Sequence, residues 1–201
     1  ASLLNATTTA VRGTFVDLAA NDAIRNSNTY ALEQLLGWHG LCIEPNPKYH
    51  AGFGAYRRCA LAKTCVTAEK REVEFALAGG KGRIASSGGA KKSLKLTCEP
   101  LSVLLAHHKM RAITYLSLDV EGGELDVVRG ASATLKRDRP VFTVEVHPHN
   151  KPNETVALLQ EIRLLGYRSF LVEEQCGVPV DCRNLLNLPR EARRRFLGSA
   201  T

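Results

Sequence analysis

Short β-branched, apolar runs alternate with helix-patterned stretches along most of this chain, and that alternation constrains the fold more than any other feature. Thr14-Phe15-Val16-Asp17-Leu18 reads as a first buried strand. A polar turn through Asn21 and Asp22 follows, then a helix from about Asn28, with Tyr30, Leu32, Leu35 and Leu36 as its apolar spacing and Gly37 as its stop. Leu41-Cys42-Ile43-Glu44 is a second strand, closed by Pro45 and Pro47, which open another short helix. Further strands are expected near Cys59 to Val66, at Val73 to Leu77, Thr114 to Asp119, Val141 to Val146 and Tyr167 to Val172. Helices are expected over Glu99 to His107, Glu124 to Leu135 and Thr155 to Leu165. Strands that alternate with helices in this way imply a mostly parallel twisted central sheet with helices on both faces. Residues 79–93, rich in Gly, Ser and Lys, read as a mobile loop or lid.

The length of 201 residues suits one domain, 1–201, with a core of about 12–172 and a C-terminal loop and basic helical extension over 173–201. Apolar residues at 44% are enough to cover both faces of a sheet. No apolar run approaches the roughly 20 residues of a transmembrane segment. Nor does a charged-then-apolar leader open the chain, so any targeting segment is expected to be absent or removed. The net charge of +7 is spread out apart from Arg190, Arg193, Arg194 and Arg195. That cluster lacks interleaved aromatics, so nucleic acid is not an expected partner. It reads as a solvated helix face, with docking to a protein partner or an anionic surface as the alternative.

None of the six cysteines forms a CxxC pair, which argues against structural zinc. Cys59/Cys65 and Cys176/Cys182 share a spacing that suits local disulfides. Asn5-Ala-Thr and Asn153-Glu-Thr are N-glycosylation sequons. These features leave two settings open: an organelle, luminal or secretory one, or a cytoplasmic one in which reduced thiols pack as small apolar groups.

Ligands of an open α/β sheet bind beyond the carboxyl ends of its strands. Four polar segments fall at such ends: Asp17 to Asp22, Glu44 to Asn46, Asp119 to Glu124, and Glu145 to His147. Glu44, after the second strand, is placed to accept both hydroxyls of a ribose. The GxGxxG phosphate fingerprint is missing, which disfavours a dinucleotide and favours a nucleoside cofactor without phosphate. Asp17 is placed to orient its turn or meet an ammonium, and Asn21 with the following amides to hold a carboxylate. Asp119 and Glu121, two apart, share a pocket as paired acids suited to sharing a proton, positioning a hydroxyl or holding a divalent ion. Glu124 reads as a helix N-terminal acid. His147 and His149 follow the fifth strand beside Glu145, in reach of general-base or metal-ligand work, although no metal is expected here.

These segments together resemble the FkbM-type methyltransferases. FVDLAANDAIRNSNTYALEQLLGWHGLCIEPNP is similar to the family's cofactor-binding start, YLSLDVEGGELDVVRGA to its Asp-x-Glu-Gly-x-Glu signature, and VFTVEVH to its later strand, over roughly residues 12–172. The resemblance implies a Rossmann-like, class I methyltransferase fold. It also implies methyl transfer from S-adenosylmethionine, commonly to a hydroxyl oxygen of a small-molecule or glycan acceptor. By position, Asp17, Ala19 and Asn21 would line the methionine end and Glu44 would hold the ribose. Asn28, Pro45 and Asp119 would complete the cofactor-binding set. Asp119, Glu121 and His147 would border the acceptor and supply the base. Ala19 stands where the family has glycine, and Ala23 near a second such position. An alanine there costs little at negative φ and more at positive φ. The alternative is a non-catalytic methyltransferase-fold subunit that docks in a larger complex.

Overall fold

The computed structural model describes residues 12–78, 81–85, 92–148, 150–172 and 183–189. Its frame is a seven-stranded sheet ordered β3-β2-β1-β7-β8-β10-β9. In chain order the main-sheet strands are β1 Thr14–Leu18, β2 His39–Ile43, β3 Ala60–Ala62, β7 Tyr115–Leu118, β8 Val141–Val146, β9 Tyr167–Val172 and β10 Arg183–Pro189. The first five of these run parallel, and β10 is antiparallel to both of its neighbours. The chain builds outward from β1 through β2 to β3, then returns to lay β7 and β8 on the other side of β1. That reversal opens a crevice beyond the ends of β1 and β7, where such sheets bind ligands.

Strand alternation divides the core in two. Val16, Leu18, Leu41, Ile43, Leu116 and Leu118 pack with residues of α3 Leu101–His107, α4 Glu124–Gly130, α5 Ser132–Asp138 and α6 Pro152–Leu164. Phe15 and Cys42 point the other way, into a cluster with Leu32 of α1 Tyr30–Leu36 and Phe53 of α2 Pro47–Tyr56. Both faces of the sheet are therefore covered, as the sequence implies.

Several elements depart from the sequence reading. Leu35 and Leu36 of α1 do not join its buried stripe: Leu35 is 81% exposed, whereas Glu33 is 0% exposed. Residues 81–84 are not part of a loop but form β5, in a small antiparallel sheet ordered β5-β4-β6 with β4 Arg71–Ala78 and β6 Ser93–Cys98. Pairing with β4 supplies the order that the Gly- and Lys-rich composition conceals. The third strand shortens to three residues. The expected helix 124–135 breaks at Ala131 into α4 and α5, where Gly130 leaves no room for a Cβ against Ala68. Residues 183–189, expected as loop and basic helix, are β10, because β8 and β9 offer edges on both sides. Asn187, 0% exposed, locks it by accepting from Ser169 Oγ at 2.6 Å and donating to the Phe142 carbonyl at 3.3 Å.

The expected Cys59–Cys65 bridge does not form. Those residues flank β3, whose extended backbone carries them apart. Each bridges across instead: Cys42 with Cys59 and Cys65 with Cys98. Cys176, Cys182, His149 and the arginine cluster 190–195 lie outside the described residues. No described helix is long and apolar enough to cross a membrane.

Candidate functional site

The crevice at the end of β1 is shaped by an unusual backbone. Ala19, Asn21 and Asn26 hold φ of 55°, 53° and 56° in the loop after β1. Opposite them, after β7, Glu121 and Gly122 hold 56° and 112°. Left-handed residues other than glycine persist only where their surroundings enforce them, and they concentrate at functional sites. The enforcing contacts are visible. Ala20 N–H donates to the Ile43 carbonyl at 3.1 Å, and Asn21 N–H to Glu44 Oε2 at 2.7 Å. Glu44 Oε1 accepts from Asn46 N–H at 2.7 Å. One carboxylate thus pins both loops. Burial pushes its pKa up against the opposing pull of the Asn46 and Asn21 amides. Two amides occupy about half of a carboxylate's roughly four acceptor positions, leaving the others for a ligand.

Asp17 is fixed from behind. Its Oδ2 accepts from Thr29 Oγ1 at 2.7 Å, and Thr29 Oγ1 accepts from Arg57 Nη2 at 2.9 Å. Arg57 also donates to Ser27 Oγ at 2.9 Å, to the Ala23 carbonyl at 3.2 Å and to Glu33 Oε1 at 3.4 Å. Glu33 in turn accepts from the Arg58 and Cys59 amides, each at 2.9 Å. The side chains of Arg57 and Glu33 are wholly buried. A buried ion pair persists when its remaining donors and acceptors are satisfied, as these are. Burial pushes the Asp17 carboxyl up to about 6, and the Thr29 hydroxyl, the Arg57 charge and the Ser117 hydroxyl pull the other way. This chain of groups escaped the sequence reading. Its one visible trace is a Glu inside the helix, a residue that ordinary patterning assigns to solvent.

Asp17, Ala19, Asn21, Asn28, Glu44, Asp119 and Glu121 line one polar cavity of about 240 Å³. Asn28 is held there by donating to Ser117 Oγ at 2.9 Å. A second cavity, also about 240 Å³, adjoins it through Ala19, Glu121, Phe75 and Gly82. Its walls are mainly apolar: Ile43 at the end of β2 and Pro45 after it, Val66 after β3, Val120 after β7, and Phe75 and Ile84 from the small sheet. The small sheet therefore roofs the crevice. The Cys65–Cys98 bridge ties it to the main frame, and Cys65 itself lines the apolar cavity.

His147 lies apart from the polar cavity. With Glu145, Lys151 and Thr155 it lines a third cavity of about 220 Å³, which meets the apolar one at Gly122, Gly123 and Asp126. Its Nε2 is 3.4 Å from Glu145 Oε2. Glu121 joins this pair: one ligand atom from each of Glu121, Glu145 and His147 lies within 4.8 Å of the others. Glu124 is the first residue of α4 and accepts from Gly122 N–H at 2.9 Å, the helix-terminal role expected of it.

The family model described as the methyltransferase FkbM domain matches residues 17–169. No curated protein gives a sequence match. Among solved structures, methyltransferase FkbM from Methylobacillus flagellatus KT superposes with a TM-score of 0.58 at 13% identity, covering 87% of this chain and 43% of that one. This chain thus spans less than half the length of that protein. The N-terminal domain of human METTL16 in complex with SAH gives 0.50 at 14% identity, covering 92% and 64% of the two chains. Precorrin-6y C5,15-methyltransferase from Geobacter metallireducens GS-15 gives 0.50 at 12%, covering 88% and 79%. At these identities the likeness is one of fold.

Proposed function

The chain belongs to the FkbM methyltransferase family, and on that premise we propose that it binds S-adenosylmethionine across the two adjoining cavities and passes the methyl group to a hydroxyl oxygen. The observation that carries this reading is Glu44, a buried carboxylate pinned by two loop amides at the wall of the polar cavity. Its remaining acceptor positions suit the two ribose hydroxyls. Pro45, the next residue, lines the apolar cavity, where Ile43, Val66, Val120 and Phe75 offer apolar surface to an adenine. At the other end, Asp17 and Asp119 set negative charge around a cationic amino acid tail and sulfonium, and the left-handed Asn21 turns its loop toward the carboxylate end.

Methyl transfer is an in-line displacement. The acceptor oxygen forms a bond to the methyl carbon as the carbon–sulfur bond breaks, and the hydroxyl proton leaves to a base. Holding both partners in attack geometry supplies much of the rate. A base adds about 10²–10⁴-fold. His147, 3.4 Å from Glu145, lines the third cavity and the Asp119/Glu121 pair lines the polar one; the space between them is where this reading puts the acceptor, a small molecule or a glycan. Calorimetry with S-adenosylmethionine and S-adenosylhomocysteine tests the reading: micromolar binding that Glu44→Ala abolishes is the expected result, and equal affinity in the two proteins overturns the ribose assignment.

One observation favours the second reading, a non-catalytic docking subunit. Ala19 holds φ of 55° and puts a methyl group at the junction of the two cavities, where glycine would leave the backbone open. That reading predicts no S-adenosylmethionine binding together with a stable partner contact, and cofactor co-purified with the protein would rule it out. In either case the two disulfides suit an oxidising compartment, in keeping with a luminal or secretory setting.

A further inference from the structure

We propose that Glu121, Glu145 and His147 form a binding site for a divalent first-row metal ion at the acceptor side of the crevice. The three come from the ends of the adjacent parallel strands β7 and β8, and their ligand atoms converge within 4.8 Å of one another. They are not a solvated acidic patch. The Glu145 side chain is 8% exposed and the His147 side chain 20%. Two carboxylates and an imidazole brought this close in a half-dry setting form a compact donor set of the kind that holds a cation. The neighbouring ammonium of Lys151 lies against Gly122 and pairs with Glu154 Oε2 at 3.6 Å. An imidazole nitrogen beside two carboxylate oxygens suits Mn²⁺, Fe²⁺ or Zn²⁺ better than the all-oxygen cages of Ca²⁺. Three protein ligands leave positions open, the arrangement of ions that handle substrate rather than hold a fold.

Position gives the ion its role. Glu121 lines both cavities assigned to the cofactor, whereas Glu145 and His147 line the third. An ion held by all three sits on the boundary between cofactor and acceptor. This role rests on the methyl-transfer reading above. An acceptor hydroxyl bound to the ion loses its proton more readily. The proton passes to Asp119 or to water, the oxygen lone pair forms the new bond to carbon, and the sulfonium leaves as a neutral thioether. With the ion present His147 is a ligand, and the base is Asp119 or solvent.

The test is Mn²⁺ titration of the whole chain, followed by electron paramagnetic resonance and calorimetry without cofactor. One site is expected, with affinity reduced at least tenfold in Glu145→Gln and in His147→Ala, each checked for intact folding by its thermal transition. Glu44→Ala is expected to keep Mn²⁺ affinity while losing S-adenosylmethionine. Absence of Mn²⁺ and Zn²⁺ binding at millimolar concentration, or binding unchanged in both ligand variants, overturns the proposal. If S-adenosylmethionine still binds in that case, the methyltransferase reading survives the loss of the metal site. Binding of Mn²⁺ with no cofactor binding does the reverse.

Discussion

Replacing Ala19 by glycine should make this protein more stable, against the usual direction of such a change. Ala19 sits at φ 55°. A left-handed L-residue carries roughly 1–2 kcal/mol of steric cost between its Cβ and the following carbonyl. Glycine removes that cost but returns about 0.4–1 kcal/mol through the greater freedom of the unfolded chain. The balance is a stabilisation of about 0.5–1 kcal/mol. In a chain of this length each kcal/mol moves Tm by about 2–4 °C, so Ala19→Gly should melt about 1–4 °C higher. Its neighbour supplies the control. Ala20 is 4% exposed and does not have a positive φ, so Ala20→Gly loses a buried methyl and gains chain freedom with nothing in return. That variant should be destabilised by about 1–2 kcal/mol. Urea unfolding and calorimetry of the three proteins decide the matter. Equal destabilisation of both variants would refute the claim that Ala19 is held in a left-handed conformation. The same substitution clears the wall shared by the two cavities, so S-adenosylmethionine affinity should rise in Ala19→Gly or stay level, but not fall.

Breaking the buried pair by Arg57→Met or Glu33→Gln should cost about 3–5 kcal/mol in urea unfolding, because the partner is left charged and dry. Asp17 adds a pH dependence of known sign. Its folded pKa of about 6 lies above the ordinary value of 3.8, so the folded state binds the extra proton. Its contribution to stability is therefore full below pH 3.8 and lost as pH rises through 6, in all about 3 kcal/mol. Asp17→Asn should accordingly gain on the native chain between pH 4 and pH 7, and a constant difference across that range would sink the assignment. Joint replacement of Cys65 and Cys98 by serine should lower stability by about 3–4 kcal/mol, as expected for a bridge closing a 33-residue separation. Cofactor affinity should fall with it, since the roof of the apolar cavity loses its tie.

Local chemistry made much of this protein legible before any fold was known. Runs such as Phe15-Val16 and Leu41-Cys42-Ile43 must be strands buried on both faces, and strands alternating with helices must pair in parallel. From that alone, Asp17, Glu44 and Asp119 were bound to meet at one sheet edge, and they line one cavity. What the sequence left open depended on partners far along the chain. Glu33 is buried because Arg57 and two amides reach it, and nothing within its own helix announces that. Residues 183–189 are a strand because β8 and β9, some forty and fifteen residues earlier, present open edges. Cys59 bridges to Cys42 and not to Cys65 because an extended strand separates neighbours in sequence and brings distant residues side by side. Periodicity and turn chemistry act over a few residues and were readable in order. Hydrogen-bond satisfaction and pairing act through space, and only the folded chain could choose among them.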